Sequence, residues 1–246
     1  MQGSPGKAID YFLAGAKLIT QPGMRKFILI PLIVNILIFF LVTAYLWNLF
    51  GDVFAQILEW SPVWLDWFAW LLWPLVAFIF LIVYGYSFNI ITNFLAAPFF
   101  GLLAEKIEAQ LTGTAPPDEP WSQLIPRTLQ RETIKLWYFI SRGALVLIIF
   151  FILFFIPGAN LLGAFIAAIW SCWCMAVQYS DYPADNHQLS FRELRRRLNK
   201  KPLTSYSYGG IILLGSMIPV LNIFVTPIAV AGATFYWIKE IKHPSN

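Results

Sequence analysis

Charge is scarce in this sequence. Asp, Glu, Lys and Arg make up 12% of the 246 residues, about half of the roughly 25% found in soluble domains. With 59% hydrophobic residues, the chain has too little polar side-chain material to cover a soluble globule. The composition is that of an integral membrane protein. Histidine is rarer still. The sequence has two His and no acid or base inside its apolar runs, so no buried proton relay is visible. The two cysteines, Cys172 and Cys174, flank Trp173 within one such run. Their spacing is not Cys-x-x-Cys, and no His or carboxylate shares the run, so they are read as packing residues rather than a metal or disulfide site. His-Glu-x-x-His, Gly-x-Ser-x-Gly and an intramembrane Asp pair are all missing. Gly3-Ser4-Pro5-Gly6-Lys7-Ala8 is too short for a phosphate loop and lacks its final Ser or Thr. The sequence therefore offers no reason to expect an enzyme, direct ATP coupling, a metal, another cofactor or a nucleic-acid partner. The first 26 residues contain no compact apolar core followed by a small-residue cleavage site, so the apolar runs themselves are expected to direct insertion.

Four runs lack Asp, Glu, Lys and Arg: 27–51, 67–104, 143–180 and 202–238. Upstream of them, residues 5–20 repeat Ala8, Ile9, Phe12, Leu13, Ala16 and Ile19 at helical spacing, with Lys7, Asp10 and Lys17 off that stripe. This predicts an amphipathic helix at the membrane interface. The first run predicts a transmembrane helix over 27–50. A short acidic connection over 52–66 follows, carrying Trp60 and Trp64, with Trp67, Trp70 and Trp73 close behind, a cluster typical of headgroup level. A second transmembrane helix is expected over 67–93. Turn residues gather at 112–120, and a basic amphipathic segment over about 121–142 leads into the third run.

The third and fourth runs are too long for one span and short for two. Each is interrupted by a similar pattern, Ile156-Pro157-Gly158-Ala159-Asn160 and Ile218-Pro219-Val220-Leu221-Asn222, where proline stops an unkinked helix and Asn tolerates a turn. The first arms, 143–156 and 202–218, would reach about 21 to 26 Å as helix, less than the roughly 30 Å hydrocarbon core. Residues 143–180 and 202–238 thus read as two partly inserted helical hairpins, with two pairs of short full spans as the open alternative. The expected fold class is an all-α integral membrane protein, one membrane domain over 1–246. It has two long transmembrane helices, the two hairpins and amphipathic interfacial helices. In this arrangement all 17 Lys and Arg residues fall on one side, which predicts cytoplasmic termini by the positive-inside rule.

Three places invite chemistry. Pro22-Gly23-Met24-Arg25-Lys26 lies at the mouth of the first run. With Pro22 at or near the first helical position, the N–H groups of Gly23, Met24 and Arg25 would leave the positive end of a helix dipole beside two cations, a setting for a small oxyanion. Membrane-edge anchoring by Arg25 and Lys26 is the plainer alternative. Between the hairpins, Asp181 to His187 reads as a loop held by Asx-type hydrogen bonds. After it, Ser190 and Glu193 have capping-box spacing and open a basic helix with Arg195, Arg196, Arg197, Lys200 and Lys201. That helix is either a lipid-facing surface or a vestibule that concentrates anions. Neutral polar groups within the runs either bond across helices or line a narrow pore. Asn35, Asn89, Asn93, Asn160 and Asn222, with Glu105 just past the second run, are the pore or vestibule candidates.

Pro22-Gly23-Met24-Arg25-Lys26-Phe27 running into Ile30-Pro31-Leu32 and Asn35 resembles the start of the CysZ-type sulfate permeases. Ala97-Pro98-Phe99 followed by Leu103, Glu105 and Glu108 resembles a second stretch of that family. Asp181-Tyr182-Pro183 with Asp185-Asn186-His187 and Phe191 resembles a third. The resemblance extends over almost the whole chain. It implies sulfate uptake across the bacterial inner membrane for cysteine biosynthesis, two long transmembrane helices with two partly inserted hairpins, and assembly as a homo-oligomer among membrane lipids. It places sulfate on Gly23, Met24, Arg25 and Lys26. The family often has two arginines here, whereas Lys26 keeps the charge without the planar fork. A channel or facilitator is the leading expectation. The alternative is a non-transporting membrane scaffold whose basic cytoplasmic face docks lipids or partners.

Overall fold

The structure, a computed structural model, describes residues 3–60, 69–117 and 119–242. The described residues are helical, with no strand among them. The order is α1 (Pro5–Ile19), α2 (Lys26–Trp60), α3 (Ala69–Thr112), α4 (Trp121–Phe154), α5 (Asn160–Asn186), α6 (Phe191–Asn199), α7 (Pro202–Ser216) and α8 (Pro219–Tyr236), closed by a π-helical turn over Trp237–Ile241. Residues 61–66 of the expected connection, and 67 and 68 of the expected second span, lie outside the described residues. The chain divides into two compact units, residues 30–96 in one and residues 1–29 with 97–246 in the other.

The smaller unit holds most of α2 and the first part of α3. The described polar contact is between the Thr43 and Tyr84 hydroxyls at 2.7 Å, with Phe39 tilted against the Tyr84 ring. This satisfies both hydroxyls inside an apolar setting.

In the larger unit the two Pro-containing breaks make two helix pairs. Residues 155–159 join α4 to α5, with Gly158 at φ 82°, and Met217–Ile218 join α7 to α8. Pro202 and Pro219 occupy first-turn positions of α7 and α8, where a missing N–H costs nothing. The helix expected at 5–20 is α1, which is docked on α7 and α8, while Ile9 and Leu13 of the expected apolar stripe are exposed. Ala8, Gly15, Leu18 and Ile19 are buried. A Cβ on Gly15 would stand 2.5 Å from the Gly232 backbone nitrogen and 2.6 Å from the Ile228 carbonyl oxygen, so only glycine lets α1 approach α8 this closely. Ser4 N–H also donates to Thr204 Oγ1 at 2.9 Å, fixing the start of α1 to α7.

The basic amphipathic segment expected over about 121–142 leads without a break into the third apolar run, since α4 runs from Trp121 to Phe154. Pro126 lies inside this helix, at its sixth residue, where its missing N–H leaves the Ser122 carbonyl without the usual helical donor. The expected loop over Asp181 to His187 is corrected. The helix α5 continues through Pro183 to Asn186, because the polar side chains of this stretch find partners on neighbouring helices and not on their own backbone. Among the described residues, α4 and α5 are long and apolar enough to cross a membrane, and Leu32–Leu46 within α2 is a shorter apolar stretch.

Candidate functional site

The turn before α2 differs from the expected helix start. Gly23 has φ 89°, a left-handed value that a right-handed helix cannot incorporate. The helix therefore begins at Lys26, not at Pro22. Met24 N–H donates to the Gln21 carbonyl at 3.2 Å, and the first α-type bond runs from Leu29 N–H to the Arg25 carbonyl at 3.0 Å. By helix geometry the leading N–H groups belong to Lys26, Phe27 and Ile28, and Met24 N–H is committed within the turn. The Met24 side chain is 2% exposed and anchors the turn, while Gly23, Arg25 and Lys26 are exposed.

The last turns of α3 support this segment. Gln110 Nε2 donates to Gln21 Oε1 at 2.9 Å. A Cβ placed on Gly23 would have Lys106 Nζ as its neighbour, 3.8 Å away. A third cation, which sequence reasoning did not single out, thus stands against the open face of the turn.

The other sequence candidates lie on α2, α3, α5 and α8. Side chains of Asn35 and Asn89 lie outside the described residues. Asn93 is half-buried on α3. Asn160 opens α5, exposed, with its Oδ1 accepting Leu161 N–H at 2.9 Å. Asn222 is exposed on α8. Glu105 lines a small cleft of about 90 Å³ together with Glu119, Arg127 and Asn186, and none of the asparagines expected to line a pore borders it.

A buried ionic ladder joins α4 to α5. The antiparallel register sets Arg127 opposite Asp185 at 2.6 Å and Arg131 opposite Asp181 at 2.7 Å. Arg127 also binds Glu119 at 2.8 Å. Lys135 donates to Glu132 at 2.5 Å, lies 3.3 Å from Asp181, and sits over the Tyr182 ring at 4.6 Å. At the end of α5, Asn186 Nδ2 donates to the Gly101 carbonyl at 2.8 Å. Glu108 is held by His187 Nε2 at 2.9 Å and by Lys242 Nζ at 2.7 Å. Burial opposes the Glu108 charge, but hydrogen bonds from His187 and Lys242 outweigh it and hold the carboxyl below its usual range. This network was readable in part. Arg127, Arg131 and Lys135 recur every four residues, as do Asp181 and Asp185, but only the fold shows that the two stripes meet.

The capping expectation at α6 holds on one side. Ser190 Oγ accepts Glu193 N–H at 3.3 Å, while the Glu193 carboxylate turns to Arg196 and Arg197. Arg195 lies 4.3 Å over Tyr138 and 4.8 Å over Phe191. Arg197 donates to the Ile241 and Lys242 carbonyls, both at 3.0 Å, and so caps the closing turn of the chain. Two of the three consecutive arginines therefore serve the fold, and Arg196 remains outward.

These features define an all-helical protein with two membrane-length apolar helices, a buried ionic seam and a cationic turn at the head of α2. The family described as sulfate transporter CysZ/etoposide-induced protein 2.4 matches residues 11–227, and the chain belongs to that family.

Proposed function

We propose that this protein passes sulfate across the bacterial inner membrane as a channel or facilitator, supplying the ion for cysteine biosynthesis. The observation that carries the reading is the Pro22–Lys26 turn. Its glycine leaves the backbone open, Arg25 and Lys26 follow at once, and Lys106 Nζ stands beside Gly23. Sulfate is a dianion at neutral pH and needs donors and positive charge, not acceptors. Gly23 admits the ion close to the chain, Arg25 and Lys26 supply charge, and the buried Met24 fixes the turn. The positive end of α2 adds a favourable potential. Membership in a sulfate transporter family supports the substrate. In this reading the chain is one multi-pass membrane domain, α4–α5 and α7–α8 enter the bilayer as hairpins, and copies assemble into a homo-oligomer.

Equilibrium binding of radiolabelled sulfate to purified protein, with flux into proteoliposomes, tests the proposal. The double variant Arg25→Ala, Lys26→Ala should lose most binding and flux. Unchanged values would overturn the site, and no sulfate binding by the unaltered protein would overturn the function.

A further inference from the structure

The base of α4 is amphipathic in the opposite sense from a soluble helix. Between Trp121 and Ser141 it carries four charged residues, Arg127, Arg131, Glu132 and Lys135. All four turn toward α5 or one another and are paired there. The exposed side chains of this stretch include Trp121, Ile125, Leu129, Ile134, Trp137 and Ile140, with Trp121 53% and Trp137 72% exposed, and among them the polar but uncharged Ser122, Gln123, Gln130 and Thr133. A solvated surface would show the reverse pattern. Lysines or arginines anchoring the helix in headgroups would point outward, and here Arg127, Arg131 and Lys135 point inward, with Arg142, just past this stretch, exposed.

Length sharpens the point. The 34 residues of α4 extend about 51 Å, against a hydrocarbon core of roughly 30 Å. Upright, with its tip at one edge of the core, the helix would place the base well outside the core with its apolar side bare. We infer that the uncharged outer face of α4, from Trp121 to Ile140, is covered by membrane lipid, with the hairpin lying obliquely. A tilt of roughly 30–40° fits about 51 Å of helix into the 40–45 Å between the outer limits of the headgroups. The face leads past the exposed Arg142 into the apolar stretch over 143–154 of the same helix, and the ionic seam behind it takes up every charge from Trp121 to Ser141. The inference rests on the membrane reading above and extends the lipid-covered surface into a segment whose composition reads as basic.

The test is spin-label accessibility in liposomes of anionic and zwitterionic phospholipid. Nitroxides go on Ile125→Cys, Leu129→Cys and Trp137→Cys in a Cys172→Ala, Cys174→Ala background that retains a single elution peak. Phe151→Cys on the apolar stretch and Lys200→Cys on the basic helix serve as references. The result expected is high collision with oxygen and low collision with the water-soluble nickel reagent at 125, 129 and 137, as at 151. Nickel collisions at 125 and 129 close to those at 200 would overturn the inference, with 151 still protected. Nickel access at 151 as well would bring down the membrane reading itself. Exclusion of both reagents with spin–spin broadening would mean that a second copy covers the face, which also overturns the lipid assignment.

Discussion

Lys135 and Asp181 face each other across α4 and α5 at 3.3 Å, each side chain 1% exposed, and Glu132 closes the group from the same helix as Lys135. Lys135 thus answers Glu132 and shares Asp181 with Arg131, in a place with almost no water. Such a group is strongly interdependent, because a charge left alone there has no solvent to turn to.

Lys135→Met should therefore destabilise the protein by about 3–5 kcal/mol, the usual cost of breaking a buried pair from one side. Asp181 keeps Arg131, so adding Glu132→Gln removes the stranded charge and should recover part of the loss. Thermal unfolding in detergent measures both. A single variant as stable as the unaltered protein would mean that the seam does not hold α4 to α5.

Much of the helical order was readable before any coordinates. The apolar runs, the Pro-Gly and Pro-Val breaks and the Ser190 cap each depend on residues close in sequence. What escaped was long-range. The stretch from Asp181 to Asn186 looks like a loop because Asp, Pro and Asn favour turns. It is helix because Arg127, Arg131 and Gly101, fifty or more positions away from their partners in sequence, satisfy its polar groups. Likewise, counting Arg127, Arg131 and Lys135 as cytoplasmic flanking charge assumed that they were free to meet headgroups, whereas the seam uses all three. The Pro22 start failed for a local reason. Composition marks Gly23 as a turn residue but does not reveal that its left-handed φ delays the helix to Lys26.

The position of Lys106 leads to a prediction about the proposed sulfate site. An exposed charge about 4 Å from a bound ion contributes about 1 kcal/mol in water and more where solvent is partly excluded. Lys106→Gln should weaken sulfate binding about fivefold or more, with the loss shrinking at high salt. Titration of radiolabelled sulfate at low and high ionic strength checks it. Equal affinities at low salt would show that Lys106 supports the turn without meeting the ion.

Gly15 offers a test of how α1 is held. Any Cβ there meets backbone atoms of α8, which cannot swing aside like a side chain. Gly15→Ala should cost about 1–3 kcal/mol through overpacking, and Gly15→Val more. Limited proteolysis should then release the first twenty residues faster than in the unaltered protein. An intact, equally protected α1 would show that the helix docks without that close approach.

The Glu108 group carries a pH dependence whose sign is set by its lowered carboxyl pKa. In the unfolded chain a Glu titrates near about 4.3. In the fold, desolvation works against the charge, yet His187 and Lys242 hold it, so the folded carboxyl gives up its proton more readily. A carboxyl shifted this way contributes its stability in full above the unfolded value and loses it as pH falls through the folded one. Glu108→Gln keeps the shape but removes the charge. At pH 7 the variant should be less stable by about 1.5–3 kcal/mol, the range for hydrogen bonds to charged groups. As pH drops from 6 toward 3 the gap between the two melting temperatures should close, because the unaltered protein is losing what the variant never had. Other carboxylates titrate in both proteins and cancel in the difference. A gap that stays constant over that range would show that the ties from His187 and Lys242 do not stabilise the charged carboxyl.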